Sequence, residues 1–266
     1  IWSRCRIEVT VQITSAPATI VSLADVIASN RPLRVAVLTG AGISAESGLR
    51  TFRGNDGLWE GHRIEEVATP EAWEIDPQNV WRFYQQRRRQ LGEVDPNPAH
   101  FALAELEDGV EDGCFTLITQ NVDDLHERAG SRNVIHMHGE LLKARCQSTD
   151  TLVAADRDLD PALTCTVCGA AGCLRPHVVW FGEMPLEMER IYATLAGCER
   201  FISIGTSGNV YPAAGFVEEA NRHGAHTVEL NLEPSQRLTA FAEHQHGLAS
   251  ELVPAYAEEL IEGLSC

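Results

Sequence analysis

Val35-Ala36-Val37-Leu38-Thr39-Gly40-Ala41-Gly42-Ile43-Ser44-Ala45-Glu46-Ser47-Gly48 is the segment on which the fold turns. Its first five residues form the short apolar run expected of a strand buried on both faces. Glycines follow at once, spaced G-x-G-x-x-A from Gly40 to Ala45. At a strand–turn–helix junction they let the backbone turn tightly and approach a pyrophosphate, whose charge the helix N-terminal amides hold. Any tight strand-to-helix turn also needs glycine, so the spacing requires support from the rest of the chain.

That support is a rhythm. Residues 35–39, 115–119, 134–136, 201–205 and 227–231 read as buried strands. Helical segments at 97–107, 212–223 and 254–264 alternate with them. The alternation predicts an α/β fold, a doubly wound, Rossmann-like parallel sheet with a smaller inserted module. The large domain is assigned 19–52, 91–142 and 175–266. Residues 53–90 form a loop and helical insertion, 143–174 a small module bearing cysteines, and 1–18 an extension of unassigned role. Within that extension Ile7, Val9, Val11 and Ile13 alternate as in a strand, without the charged head and continuous apolar run of a secretory signal. Ile20, Leu23, Ala24 and Ile27 lie on one face of a helix expected at 19–29. One dehydrogenase feature is missing: no acidic residue ends a second strand about 20 positions past the glycines. The chain instead enters Phe52-Arg53-Gly54 and Gly57-Leu58-Trp59, read as loop. A dinucleotide ligand remains favoured, ordinary hydride transfer does not.

Composition narrows the partners. Lys and Arg number 21 against 38 Asp and Glu, a net charge of −17, which disfavours nucleic acid and anionic membrane surfaces. No apolar run approaches the roughly 18 residues of a membrane span. Of eight cysteines, Cys146, Cys165, Cys168 and Cys173 cluster, while Cys5, Cys114, Cys198 and Cys266 are scattered. Such clustering favours a metal site in a reducing, cytoplasmic setting over a disulfide scaffold.

The stretch from Gly40 to Gly54, G-A-G-I-S-A-E-S-G-L-R-T-F-R-G, resembles the cofactor loop of the sirtuins, the NAD-dependent protein lysine deacylases. Thr119-Gln120-Asn121-Val122-Asp123 is similar to their T-Q-N-x-D motif, and His138-Gly139 to their H-G motif. Gly205-Thr206-Ser207 and Asn231-Leu232-Glu233 resemble two late cofactor motifs, and Arg175 to Glu183 resembles the bacterial class III branch. The match keeps its order along nearly the whole chain.

The resemblance implies NAD as co-substrate and acyl-lysine side chains of proteins as substrates. The acyl oxygen would attack the ribose carbon that carries nicotinamide, giving free lysine, nicotinamide and O-acyl-ADP-ribose. His138 would be the catalytic base, and Asn121 with Gln120 would orient ribose and water. Taken alone, a histidine is more often a structural hydrogen-bonding group, and His126 and His136 keep that reading. Asp123 would bind the nicotinamide carboxamide, Phe52 would shield the sugar, and Arg53 would sit near phosphate or ribose. Gly40, Ala41, Gly42, Ser44, Glu46, Gly205, Thr206, Ser207, Asn231, Leu232 and Glu233 complete the cofactor set. Val179, Trp180, Phe181, Gly182, Asn209 and Val210 would sandwich an extended peptide by backbone pairing, which reads little sequence. Trp180 and Phe181 are equally plausible as core residues.

Tyr84 and Arg87 stand three apart, on one face of a helix, where a hydroxyl and a forked cation can together hold a carboxylate. With the small Ala68 this resembles the class III pocket for succinyl and malonyl lysine, and implies desuccinylase beside deacetylase activity. Otherwise the run Arg87-Arg88-Arg89 is a solvated helix face. Cys165 and Cys168 form a C-x2-C knuckle suited to structural zinc with Cys146; either Cys173 supplies the fourth ligand, or the module binds metal weakly or not at all. The usual second pair is broken at Thr149. Two rival readings share the cofactor motifs: NAD-dependent mono-ADP-ribosyl transfer, and a catalytically silent NAD- or zinc-binding module.

Overall fold

Along Val35–Thr39 (β1) successive residues serve two different cores. Val35 and Val37 pack with Leu103 and Leu106 of helix Pro98–Gly109 and with Tyr256 and Leu260 of helix Ala249–Leu264. Ala36 and Leu38 face the other way, towards Ile191 and Leu195 of helix Met188–Gly197 and Phe216 and Val217 of helix Phe216–Arg222. Strand side chains alternate between faces, so a strand covered on both sides reads as a nearly unbroken apolar run. The computed structural model describes residues 31–50, 58–59, 62–155 and 162–264. The readings made for 1–18, for the helix at 19–29, and for Phe52 and Arg53 lie outside them.

The further strands among the described residues are Leu58–Trp59 (β2), His62–Arg63 (β3), Phe115–Thr119 (β4), Val134–His136 (β5), Gly139–Cys146 (β6), Leu152–Ala154 (β7), Leu174–Val178 (β8), Arg200–Ile204 (β9), His226–Asn231 (β10) and Glu243–His246 (β11). Six strands form one sheet in the order β11-β10-β9-β1-β4-β5, all neighbours parallel. From β1 the chain builds outward through β4 and β5, then returns to lay β9, β10 and β11 on the opposite side. The loops leaving β1 and β9 therefore part company above the sheet. A doubly wound sheet opens its ligand crevice at that switch point.

A three-stranded antiparallel sheet, β7-β6-β8, stands beside the large one. Its Leu141, Ala144, Leu174 and Val178 share a third core with Trp81, Phe83, Tyr84 and Leu91 of helix Pro77–Leu91. Asp76 caps that helix through the Asn79 amide and Pro77 occupies its first position, where the missing N–H costs nothing.

The structure departs from the sequence reading in places with clear causes. Leu58–Trp59, read as loop, pairs with His62–Arg63; two residues carry no periodicity to detect. The last helix begins at Ala249 and carries Pro254 inside it. The proline removes one hydrogen bond, while Leu252 N donates to Leu248 O at 3.0 Å and Val253, Tyr256, Ala257 and Leu260 bury an apolar face. The arginine run is not one solvated face. Arg88 is buried, donating Nε to Leu141 O at 2.8 Å and stacking on Trp81, and only Arg89 of the three is exposed.

Candidate active site

A cavity of about 640 Å³ sits over the switch point, within the roughly 300–1,000 Å³ of small-molecule sites. Its floor is backbone against backbone. Gly40 N donates to Ile204 O at 3.0 Å, and Gly42 N donates to Gly205 O at 2.9 Å. A Cβ on Gly42 would stand 2.6 Å from Gly205 Cα, and one on Gly205 would stand 2.5 Å from Ile43 N. Gly205 also has φ +64°, in the left-handed region. Only glycine fits either place. Ala41 and Ser44 line the same floor, so the chain keeps open a cradle suited to a pyrophosphate.

The ends of β1 and β4 supply the polar wall. Asn121 Nδ2 donates to Gly40 O at 3.1 Å and to Ser44 Oγ at 3.3 Å, which ties the T-Q-N-x-D segment to the glycine loop. Ser44 Oγ donates to Asp123 Oδ2 at 3.1 Å, and Leu125 N donates to Asp123 Oδ1 at 3.3 Å. Burial pushes the Asp123 carboxyl up to about 6 despite these donors. His138 follows β5, half-buried, with Nδ1 3.0 Å from Gln120 O. A carbonyl only accepts, so Nδ1 carries the proton and Nε2 holds a lone pair. Burial holds this imidazole below its ordinary value, so it is neutral at pH 7 and able to take a proton.

The far side of the cavity is formed after β9 and β10. Asn231 Nδ2 donates to Thr206 O at 2.6 Å, locking these two loops together, and Ser207, Leu232 and Glu233 line the same side. Glu46 also reaches the cavity, and its carboxylate accepts from Ser250 N at 3.1 Å and from Ser250 Oγ at the start of helix Ala249–Leu264. It holds that helix end as well as facing the cavity.

At the opposite end stand Ala68, Tyr84 and Arg87 with Val179, Trp180, Phe181 and Gly182, while Asn209 and Val210 line the cavity beside Ser207, whose Oγ accepts from Asn209 N at 3.3 Å. Tyr84 is fully buried and accepts a hydrogen bond from Trp180 Nε1 at 3.0 Å. Trp180, open to two readings in the sequence, is buried at 2% exposure yet lines the cavity, whereas Phe181 is exposed at 48%. Phe181 N donates to Ala68 O at 3.0 Å and Val179 N to His138 O at 2.8 Å, joining this segment to both neighbours. Sequence reasoning gave Arg175 no role and placed Glu183 only at the end of the peptide-pairing segment. Arg175 lies over the Trp180 ring, 3.5 Å from its centroid, and donates to Glu183 at 2.7 and 2.9 Å. Glu183 also accepts from Trp180 N at 2.8 Å. These two charges fix the tryptophan that holds Tyr84. Their place in the quoted Arg175 to Glu183 motif was the available signal.

The cysteine sulfurs of residues 146, 165, 168 and 173 all lie within 4.8 Å of one another. Cys168 and Cys173 are 3.2 Å apart, Cys146 and Cys168 3.6 Å, and Cys146 and Cys173 3.8 Å. A tetrahedral zinc with bonds near 2.3 Å has sulfur edges of about 3.8 Å, so the cluster suits that ion. Cys173 takes the corner that Thr149 cannot supply.

A sequence model of the Sir2 family matches residues 40–212. The NAD-dependent protein deacylase of Shigella flexneri is 61% identical over 233 residues, covering 87% of this chain and 85% of the relative. That of Pasteurella multocida is 58% identical, covering 87% and 99%. Among solved structures, a Sir2 homologue in complex with NAD superimposes with TM-score 0.79 at 38% identity, over 94% of this chain and 98% of that one. Sir2Tm bound to a propionylated peptide superimposes with TM-score 0.72 at 26% identity, over 91% and 97%. The chain belongs to the Sir2 family.

Proposed function

We propose that the chain is an NAD-dependent protein lysine deacylase that moves acetyl and succinyl groups from lysine to ADP-ribose and releases nicotinamide. The observation that carries the reading is one cavity holding a glycine cradle at Gly40, Gly42 and Gly205, the neutral imidazole of His138, and the Tyr84–Arg87 end. The relatives named as deacylases, and the family structures with NAD and with acylated peptide, support the same activity.

NAD supplies a ribose carbon from which nicotinamide can depart. The protein's own groups then divide the work. Gly40, Ala41 and Gly42 approach the pyrophosphate, with Thr206, Ser207, Asn231, Leu232, Glu233 and Glu46 towards the adenosine side. Asp123, held by Ser44, takes the nicotinamide carboxamide. Asn121 and Gln120 orient ribose and water, and His138 Nε2 accepts the proton of a ribose hydroxyl. Phe52 and Arg53 belong to this set by motif. Val179 to Gly182 pair with one edge of an extended peptide, and Asn209 and Val210 with the other.

Acyl choice lies with Ala68, Tyr84 and Arg87. A guanidinium fork and a phenol suit the terminal carboxylate of a succinyl group, while acetyl needs neither. Cys146, Cys165, Cys168 and Cys173 would hold a zinc ion with four thiolates, a closed set that would serve folding and not catalysis. A cytoplasmic location is part of the reading, since the six cysteines among the described residues are free of disulfides, as suits a reducing compartment. The test is nicotinamide release from NAD, followed by chromatography with and without acetyl- or succinyl-lysine peptide. Release that rises with each peptide is expected; release indifferent to both rejects the reading.

A further inference from the structure

His126 lies outside the cavity, in the short helix Leu125–Ala129, and is buried at 1% exposure. Its Nε2 is 3.0 Å from Thr39 Oγ1. Thr39 closes β1 and Thr119 closes β4; the two are register partners, both fully buried, and Thr39 Oγ1 donates to Thr119 Oγ1 at 2.9 Å. A threonine hydroxyl has one proton. Thr39 spends it on Thr119, so the contact with His126 is donated by His126 Nε2–H. Thr119 Oγ1 in turn accepts the backbone N–H of Asn121 at 3.0 Å. Asn121 then reaches Gly40 O and Ser44 Oγ, and Ser44 reaches Asp123.

The geometry points to His126 as a positioning residue, which through Thr39 and Thr119 sets the backbone of Asn121 at the cofactor site. The inference rests on the deacylase reading only for its kinetic consequence. Thr39 Oγ1 thus accepts from His126 and donates to Thr119, and Thr119 Oγ1 accepts from both Thr39 and the Asn121 amide, so the His126 Nε2–H stands at the head of the series. Without it Thr39 Oγ1 is left with an unpaired buried lone pair, and the hydroxyl is no longer held in place between His126 and Thr119. The Asn121 amide then loses the acceptor orientation that holds it. The packing of His126 against the His100 ring, with centroids 4.9 Å apart, fixes the plane of the imidazole.

Two variants separate the donor from the bulk. His126→Leu keeps volume and removes the N–H; His126→Gln offers an amide N–H near the Nε2 position. Hydrogen exchange on the folded proteins reads the series directly. In His126→Leu the Asn121 amide should exchange at least about tenfold faster, with the Gln120 amide, bonded to Thr39 O at 2.9 Å, unchanged. In His126→Gln most of the Asn121 protection should return. Turnover should follow, with kcat down about tenfold or more in His126→Leu, KM for acyl peptide within about twofold, and recovery in His126→Gln. Unchanged Asn121 exchange in His126→Leu overturns the inference, as does equal loss in both variants with a matching fall in Tm. If the unmodified protein turns over no acyl peptide while the exchange pattern holds, the positioning role stands and the deacylase reading falls.

Discussion

The two ends of the cavity are made by different means. At the cofactor end, loops after β1 and β9 touch through backbone atoms, and side chains such as Asn121 and Asp123 are tied to that backbone. At the other end, side chains form the surface: Tyr84 and Arg87 come from one helix, and Tyr84 is held by Trp180, which Arg175 of β8 and Glu183 from the segment after it fix in turn. The first construction leaves almost no room for substitution. Under the proposed function it sets the chemistry, and the second sets the acyl choice.

The largest effect is expected where the two ends meet. His138→Ala should lower kcat about 10³-fold on acetyl- and succinyl-lysine peptides alike, since general base catalysis contributes on the order of 10²–10⁴. A loss on one acyl group alone would break the division between chemistry and choice. The same residue sets the pH profile. Burial lowers its pKa, so the neutral base persists as pH falls through the ordinary histidine value of 6.5, and the acid limb of kcat/KM lies below it. An acid limb above 6.5 would assign the base elsewhere.

Next in size is the cofactor floor. Gly205→Ala places a methyl 2.5 Å from Ile43 N at a left-handed φ, so folding stability should fall by roughly 2–4 kcal/mol. NAD affinity should fall with it, as read by thermal unfolding with and without NAD. A variant that binds NAD normally would show the backbone contact to be dispensable. The smallest effect sharpens the acyl end. Arg87→Met should raise KM for succinyl-lysine peptide about 30-fold, the value of one charged hydrogen-bonded contact, with KM for acetyl-lysine within about twofold. Equal losses on both would move Arg87 from acyl choice to general packing.

The contrast also governs what could be read from sequence. Buried parallel strands are unbroken apolar runs, so β1, β4 and β5 match the residues expected, and β9 and β10 match within one residue. Strand ends show only where hydrogen-bonding groups gather, and it was the resemblance of T-Q-N-x-D and H-G that singled out His138, Asn121 and Asp123 among them. The edge strand β11 is Glu-His-Gln-His, with one partner and alternating exposure, so it offers no apolar run to detect. The acyl end is assembled from segments about 90 residues apart, and nothing local shows that Trp180 Nε1 meets Tyr84 Oη. Cys173 follows the same rule: its spacing from Cys168 is irregular, and only the fold brings its sulfur to the other three.

The most direct measurement is the mass of the products formed from NAD and a peptide carrying acetyl- or succinyl-lysine. Acyl transfer predicts a peptide with free lysine, together with nicotinamide and ADP-ribose bearing the acyl group. A peptide heavier by ADP-ribose, with its acyl group retained, would contradict that account.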